Sequence, residues 1–228
     1  MYKRQLLDAA RSGLELAHAP KDAPIGFAGY SQGGGASLSA AEYAERYAPD
    51  LNVAGTYAGA PPTDLPETMR SIDGSAIAHV LGYAINGFSE RSPEFRDAVL
   101  AELNPRGIDF LRSAATSCTG DSVLMWGFTN TRMLTRTGES LSEIVERKPV
   151  VKETLERQNL GKAVPNAPVM MASSPSDDLI SHDQVRRTAG AYCSMGGTID
   201  FVAAPGTATI PRTGIDHAVP LYLCLLYT

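Results

Sequence analysis

The stretch Ile-Gly-Phe-Ala-Gly-Tyr-Ser-Gln-Gly-Gly-Gly, residues 25–35, decides the fold class. Its first six residues form an apolar run after Pro24, which predicts a buried strand that ends at the serine and glycines. Residues 36–47 are rich in alanine and predict a helix that stops before Pro49, and residues 51–58 predict a second strand. A strand, a helix and a strand in succession form a βαβ unit. We therefore expect an α/β fold with a mostly parallel sheet and helices on its faces.

The pattern changes after this unit, which predicts a chain organised in three segments. Strand-like alternation is scarce from residue 63 to residue 162, and helical patterns cover residues 72–88, 93–103, 108–117 and 141–158. We expect residues 1–62 to form the first part of an α/β core, residues 63–162 a helical insertion, and residues 163–228 the second part of the core. In the last segment the pattern predicts strands at 169–173 and 198–203, a helix at 181–195 with Ser181 or Asp183 as its N-cap, and a loop at 205–220.

Composition and charge exclude two classes of protein. The 228 residues carry 20 Lys and Arg against 25 Asp and Glu, a formal net charge of −5. A nucleic-acid-binding protein needs a basic face, and the sequence has no cluster of Lys and Arg, so we expect no nucleic-acid partner. No apolar run reaches the roughly 18–20 residues of a membrane-spanning helix. The 43% hydrophobic content is that of an ordinary globular protein.

The two ends of the chain differ from the rest. Residues 1–5 and 224–228 resemble translated adapter sequence, so we expect both ends to be foreign and the gene to continue beyond them. The N-terminus has no pattern typical of a secretion signal, which predicts a cytoplasmic protein only where Met1 is the true start.

The cysteines allow two interpretations. Setting Cys224 aside leaves Cys118 and Cys193. They are either two buried thiols, or they take part in a disulfide, with each other or from Cys118 to a partner beyond this chain, which is typical of an oxidising compartment. Spacings typical of a zinc site are absent, so we expect no metal site.

The serine at the centre of the opening stretch is a candidate nucleophile. Gly29-Tyr30-Ser31-Gln32-Gly33 matches the pattern G-x-S-x-G and lies between a predicted strand and a predicted helix, as that pattern requires. We expect a strained backbone at Ser31, with Gly29 and Gly33 removing side chains that would collide in the turn. The start of the helix directs free N–H groups toward the serine, so the Gln32 N–H is a candidate oxyanion-hole donor.

A serine hydroxyl needs a base and an acid that orients this base. Asp177 and Asp178 follow the predicted strand 169–173, and His217 comes 40 residues after Asp177. In this fold class the partners follow in the order Ser, Asp, His, which favours Asp177 and His217. His182 is the competing base, and Asp178 is the competing acid. His18 and His79 are expected to be ordinary surface or partly buried histidines, and Asp216 a surface residue.

In these motifs the chain resembles the secretory lipase family of α/β-hydrolases, in its lipase-A-like branch. The resemblance runs from Pro24 to about Pro220 and rests on short motifs that occur in order: GFAGYSQGG (26–34), AGTYAGAPPTDL (54–65), LNPRG (103–107), QNLGK (158–162), APVMMASSPSDDLISHDQVR (167–186), YCSMGG (192–197) and DH (216–217).

This resemblance implies an α/β-hydrolase fold with a helical cap, a nucleophile at Ser31, an orienting acid at Asp177 and a general base at His217. It implies hydrolysis of fatty-acyl or other carboxylic esters, contact with lipid interfaces, secretion, and no need for a metal or an organic cofactor. Family members have several strands before the serine turn, so the chain is expected to be N-terminally truncated. The second oxyanion donor would be missing with them, and we expect this chain alone to be poorly stable and poorly active.

Three alternatives remain open at this stage. An acyltransferase or a peptidase uses the same three residues, and an inactive fragment would retain the serine turn.

The apolar residues of the insertion have two interpretations: they line an acyl tunnel, or they simply pack its helices together. These residues are Leu81, Ile85, Phe88, Phe95, Phe110, Leu111, Met125, Trp126, Phe128, Met133 and Leu134.

Overall fold

The structure is a computed structural model that describes residues 2–206 and 209–226, with side-chain environments for residues 4–206 and 209–221. In chain order the elements are α1 (Tyr2–Leu16), β1 (Ile25–Tyr30), α2 (Gln32–Tyr47), β2 (Val53–Gly59), α3 (Leu65–Ile72), α4 (Val80–Ser89), α5 (Pro93–Leu100), α6 (Pro105–Thr116), α7 (Thr119–Trp126), a 3₁₀-helix (Thr131–Leu134), α8 (Leu141–Arg147), α9 (Pro149–Glu156), β3 (Val169–Ser173), α10 (His182–Ser194), β4 (Ile199–Ala203) and α11 (Ile215–Leu226). The interpretation of residues 224–228 as foreign stays a prediction, because their side chains lie outside the described part. The state of the Cys224 thiol lies outside it for the same reason.

The chain divides into two compact units. The core unit comprises Met1–Thr63, Asn159–Thr207 and His217–Thr228, and the helical unit comprises Asp64–Gln158 and Ala208–Asp216. The helical unit therefore includes a short segment after β4 in addition to a long run in the middle of the chain.

The core unit contains a four-stranded sheet in the order β1-β2-β3-β4, and every neighbouring pair of strands is parallel. This confirms the parallel sheet that the βαβ pattern predicts. The bounds of β1 and β3 agree with the predicted strands, whereas α2 begins four residues earlier than predicted, directly after Ser31. Because parallel strands point the same way, the residues that follow them all lie at one edge of the sheet.

The two faces of the sheet differ in burial. Helix α2 packs against β1 and β2, and α10 packs against β3 and β4. The two helices share one side of the sheet, where the Tyr192 hydroxyl donates to Glu42 Oε1 at 2.7 Å. On the opposite face Ala28 and Met170 are exposed.

The helical unit departs from the predicted helices where glycine or proline interrupts the pattern. The predicted helix 72–88 begins only at Val80, because α3 ends at Ile72 with Asp73 as its C-cap, and Gly74 takes a φ of +74°. The predicted helix 141–158 is two helices that meet at Lys148, since Pro149 starts α9 and has no N–H to continue the hydrogen bonds of α8. Helix α7 was not predicted.

Side chains of the helical unit form their own hydrophobic core. Most of the residues considered for an acyl tunnel are buried in this core, namely Leu81, Ile85, Phe95, Phe110, Leu111 and Leu134, and Phe88 and Trp126 pack against it. Met125, Phe128 and Met133 are exposed instead. The packing interpretation therefore holds for the larger group.

The structure also bears on the cysteines and on the expectation that no helix spans a membrane. Cys118 and Cys193 are both exposed free thiols, so the interpretation as buried thiols is wrong and they share no disulfide. Within residues 2–206 and 209–226, no helix is both long and apolar enough to cross a membrane.

Candidate active site

Ser31 lies at the sharp turn between β1 and α2. Its φ of 54° and ψ of −120° put a residue with a side chain in a backbone region that L-residues rarely occupy. Two hydrogen bonds hold this turn: the Ser31 N–H donates to the Gly59 carbonyl at 2.8 Å, and the Gly35 N–H donates to the Ser31 carbonyl at 2.9 Å. The turn therefore presents the serine side chain beyond the end of the strand, from a strained but well-anchored backbone.

The glycines around Ser31 have different roles. A Cβ on Gly29 would overlap the backbone carbonyl of Gly33, as the sequence predicts for this position. A Cβ on Gly33 would meet nothing within 4 Å, so the steric requirement predicted for Gly33 is wrong. The second crowded position is Gly34, where a Cβ would overlap the carbonyl oxygen of Gly59. This contact between α2 and β2 has no local sequence signal.

The imidazole of His217 lies between Ser31 and Asp177. Its Nε2 is 2.8 Å from Ser31 Oγ, and its Nδ1 is 2.8 Å from Asp177 Oδ2. His217 is the third residue of α11, so the predicted loop 205–220 is wrong in its second part. The structure brings together three side chains that stand 186 and 40 residues apart in the sequence.

The carboxylate of Asp177 is fixed by its own loop. Its Oδ1 accepts hydrogen bonds from the backbone N–H groups of Leu179 at 2.9 Å and Ile180 at 2.7 Å, which leaves Oδ2 for His217. The Asp177 side chain is fully buried, and that of His217 is 10% exposed. An anion in this position holds the imidazole in the tautomer that carries its proton on Nδ1 and leaves Nε2 free to accept.

Asp178, the competing acid, has a different partner. Its Oδ1 accepts a hydrogen bond from the backbone N–H of His217 at 3.1 Å. His182, the competing base, begins α10 and packs its ring against Phe201. The structure therefore places neither residue between Ser31 and Asp177.

The remaining titratable candidates divide into one exposed and two buried residues. His18 is exposed at the end of α1. His79 is only 1% exposed, and its burial lowers the pKa of the ring below its ordinary value. Asp216 is 3% exposed and accepts hydrogen bonds from the N–H and the hydroxyl of Thr209, so the expectation that Asp216 is a surface residue is wrong.

The Gln32 N–H is the candidate donor to an oxyanion. Gln32 is the first residue of α2, where a backbone N–H has no acceptor within the helix. The positive end of the helix dipole adds to its attraction for a negative oxygen. Among the described residues no group of three or more His, Cys, Asp or Glu side chains could hold a metal ion.

The amino-acid sequence of this chain is similar to those of known lipases. The family model for secretory lipases matches residues 3–213. A Mycobacterium tuberculosis protein named "Probable inactive lipase" is 31% identical over 202 residues, which are 87% of this chain and 43% of that protein. Secreted triacylglycerol lipase LIP4 of Malassezia globosa is 27% identical over 207 residues, which are 87% of this chain and 44% of that protein.

The fold of this chain is similar to that of a solved lipase structure. Lipase A of Candida antarctica matches with a TM-score of 0.77 at 22% identity, over 90% of this chain and 48% of that chain. The likeness confirms the predicted α/β-hydrolase fold. The chain spans less than half the length of each of these three proteins. Because the family match extends over most of its residues, the chain belongs to the secretory lipase family.

Proposed function

We propose that this chain carries the catalytic residues of a secreted carboxylic ester hydrolase. Ser31 is the nucleophile, His217 the general base and Asp177 the acid that orients it. The observation that carries the proposal is the unbroken hydrogen-bonded series Ser31 Oγ, His217 Nε2, His217 Nδ1 and Asp177 Oδ2, in which both contacts are 2.8 Å. A serine hydroxyl in such a series can lose its proton as it attacks.

The proposed reaction begins with acylation of the serine. Ser31 Oγ attacks the carbonyl carbon of the ester while His217 Nε2 accepts its proton, and the Gln32 N–H donates to the developing oxyanion. The protonated imidazole then gives the proton to the leaving alcohol. Asp177 accepts from the Nδ1–H throughout and stabilises the imidazolium.

Deacylation uses the same groups with water in place of the alcohol. His217 Nε2 accepts a proton from the water that attacks the acyl-enzyme, and the carboxylic acid leaves as Ser31 recovers its proton. We propose fatty-acyl esters as the substrate class and secretion as the location, because relatives such as LIP4 of Malassezia globosa are named secreted triacylglycerol lipases.

The proposal assigns one oxyanion donor, Gln32, to this chain. Removal of one donor from an oxyanion hole lowers kcat by about 10²–10³. A site that relied on this donor alone would acylate slowly, with a rate far below that of a site with two donors. Slow reaction of Ser31 is still measurable with a reagent that modifies the serine irreversibly, because each molecule needs to react only once.

A fluorophosphonate probe tests the proposal directly. We expect the probe to label Ser31, and we expect Ser31→Ala to abolish labelling while Ser39→Ala, in the same helix, leaves it unchanged. His217→Gln should slow labelling strongly, and His182→Gln should not. Labelling of Ser31→Ala at the wild-type rate, or no labelling of a folded wild-type chain as judged by circular dichroism, would contradict the proposal.

Product analysis separates hydrolysis from the alternatives. An acyl p-nitrophenyl ester should release the acid with water as the acceptor; transfer to an added alcohol in preference to water would indicate an acyltransferase, and cleavage of an amide would indicate a peptidase. Because the Mycobacterium tuberculosis relative is named a probable inactive lipase, an inactive chain is a further outcome of these assays. An inactive chain would show neither labelling nor turnover.

A further inference from the structure

We propose that Tyr30 and Asp178 are positioning residues that hold His217 by its main chain. The inference rests on the proposed function, since it concerns the base of that reaction. Tyr30 directly precedes the nucleophile Ser31, and Asp178 directly follows the acid Asp177. Ser31 and Asp177, the two side-chain partners of His217, are thus each next in sequence to a residue that hydrogen-bonds to the His217 backbone.

Asp178 holds the N–H side of His217. Its Oδ1 lies 3.1 Å from the His217 N–H, across 39 residues of sequence. As the third residue of α11, His217 has no acceptor for this N–H within the helix. A carboxylate from outside the helix supplies one, and its charge also suits the positive end of the helix dipole.

Tyr30 holds the carbonyl side of His217. Its hydroxyl donates to the His217 carbonyl oxygen at 2.6 Å, across 187 residues of sequence. Its ring also packs against the imidazole, with ring centroids 5.4 Å apart and planes inclined by 50°. The tyrosine therefore limits both the position of the backbone and the tilt of the imidazole ring.

The position of the Tyr30 ring is itself fixed by a close approach to β2. Tyr30 pairs with Gly59 in the parallel register, and a Cβ on Gly59 would overlap the Tyr30 ring. The ring occupies the space that this missing side chain leaves. Because the Gly59 carbonyl accepts from the Ser31 N–H, one residue of β2 supports both the nucleophile and the tyrosine that holds the base.

The helical hydrogen bonds of α11 are interrupted next to His217. Pro220 lies inside this helix and lacks the N–H that would bond to the carbonyl of Asp216, the residue before His217. The contacts of Tyr30 and Asp178 act on the adjoining peptide groups and hold His217 from outside the helix. The consequence for catalysis is large, because a displacement of about 1 Å in a catalytic group can cost 10²-fold in rate.

Single variants separate the two anchors from the chemistry. Tyr30→Phe keeps the ring and removes the donor; Asp178→Ala removes the acceptor, and Asp178→Asn retains an acceptor oxygen. Tyr47→Phe, which removes the hydroxyl contacts to Asp8, and Asp183→Ala are matched controls elsewhere in the core unit. Two measurements are made on each folded protein: the rate constant of Ser31 labelling by a fluorophosphonate, resolved into binding and reaction, and the downfield proton signal of His217 Nδ1–H.

We expect Tyr30→Phe and Asp178→Ala each to slow the labelling step about tenfold, the loss of one hydrogen bond, with probe binding unchanged. Asp178→Asn should recover to within about threefold of wild type, since its amide oxygen still accepts. The Nδ1–H signal should broaden in Tyr30→Phe and Asp178→Ala and stay sharp in both controls.

Two results would overturn the inference: wild-type labelling and an unchanged Nδ1–H signal in Tyr30→Phe and Asp178→Ala, or Asp178→Asn as slow as Asp178→Ala. In either case the wild type is still labelled at Ser31 and the proposed function stands. A folded wild type with neither Ser31 labelling nor an Nδ1–H signal that depends on Asp177 contradicts the proposed function, and this inference with it.

Discussion

A single carboxylate in the core unit ties the segment that follows α9 to two helices of that unit, and its removal should be costly. Glu42 Oε1, on α2, accepts hydrogen bonds from the Tyr192 hydroxyl at 2.7 Å, the Gly161 N–H at 2.6 Å and the Lys162 N–H at 3.1 Å. Tyr192 is fully buried on α10. We predict that Glu42→Ala destabilises the core unit far more than an exposed glutamate would.

The magnitude follows from the burial of each donor. The Tyr192 O–H would be left without an acceptor in the interior, although its oxygen still accepts from the Gly161 N–H at 3.3 Å, and the lost acceptor costs about 1–3 kcal/mol. The Lys162 N–H is exposed and that of Gly161 is partly so, and both can turn to water; each loses a net bond of about 0.5–1.5 kcal/mol. We therefore expect a loss of at least about 2 kcal/mol in the free energy of unfolding. Tyr192→Phe should cost less, because two N–H donors still reach Glu42.

Urea titrations read by pulsed hydrogen exchange on peptides from α2 and α10 measure this loss in the core unit itself. The matched control is Glu45→Ala, which lies one helical turn further along α2 and is exposed. Its free energy of unfolding should stay within about 0.5 kcal/mol of that of the wild type. The double variant Glu42→Ala/Tyr192→Phe should be more stable than the sum of the single losses predicts, since it lacks the orphaned hydroxyl. Equal effects of Glu42→Ala and Glu45→Ala, or strict additivity of the double variant, would refute the reasoning.

Three further outcomes follow from the geometry. Gly34→Ala should distort the turn at Ser31 and slow fluorophosphonate labelling at least tenfold, whereas Gly33→Ala should label normally; equal rates would contradict the steric argument. Burial lowers the pKa of His79, so below about pH 6.5 the unfolded chain binds a proton that the folded chain resists. Stability should fall as pH falls, by at most about 1.4 kcal/mol per pH unit. The loss between pH 7.5 and pH 5.5 should be smaller in His79→Phe when Trp126 fluorescence is followed in urea, and an equal loss would exclude this histidine as the cause. Phe110→Ala should destabilise the helical unit by about 3–5 kcal/mol in the same assay, because its ring is 2% exposed and packs on Trp126; a loss under 1 kcal/mol would show that this core can collapse around the cavity.

Local patterns were sufficient for most of the core unit. Apolar runs predict β1 and β3 with the bounds that the structure has, and the succession of strand, helix and strand predicts the parallel sheet. The errors in the helical unit also have local causes. Pro149 divides a predicted helix in two, and this proline is visible in the sequence, although the apolar periodicity around it continues without a break.

The sequence by itself determined the chemistry that is available and where strands turn into helices, because backbone preferences act over a few residues. It marked Ser31 as a candidate nucleophile and favoured Asp177 and His217 as its partners, with Asp178 and His182 as competitors. Only the tertiary structure decided that the ring of His217 lies between Ser31 and Asp177 while Asp178 and Tyr30 contact its backbone. Contacts across nearly 190 residues depend on how whole elements pack, and no local pattern records them. The crowding at Gly34 and the burial of His79 and Asp216 have the same origin, since each is produced by a segment that is distant in the sequence or by the packing around it.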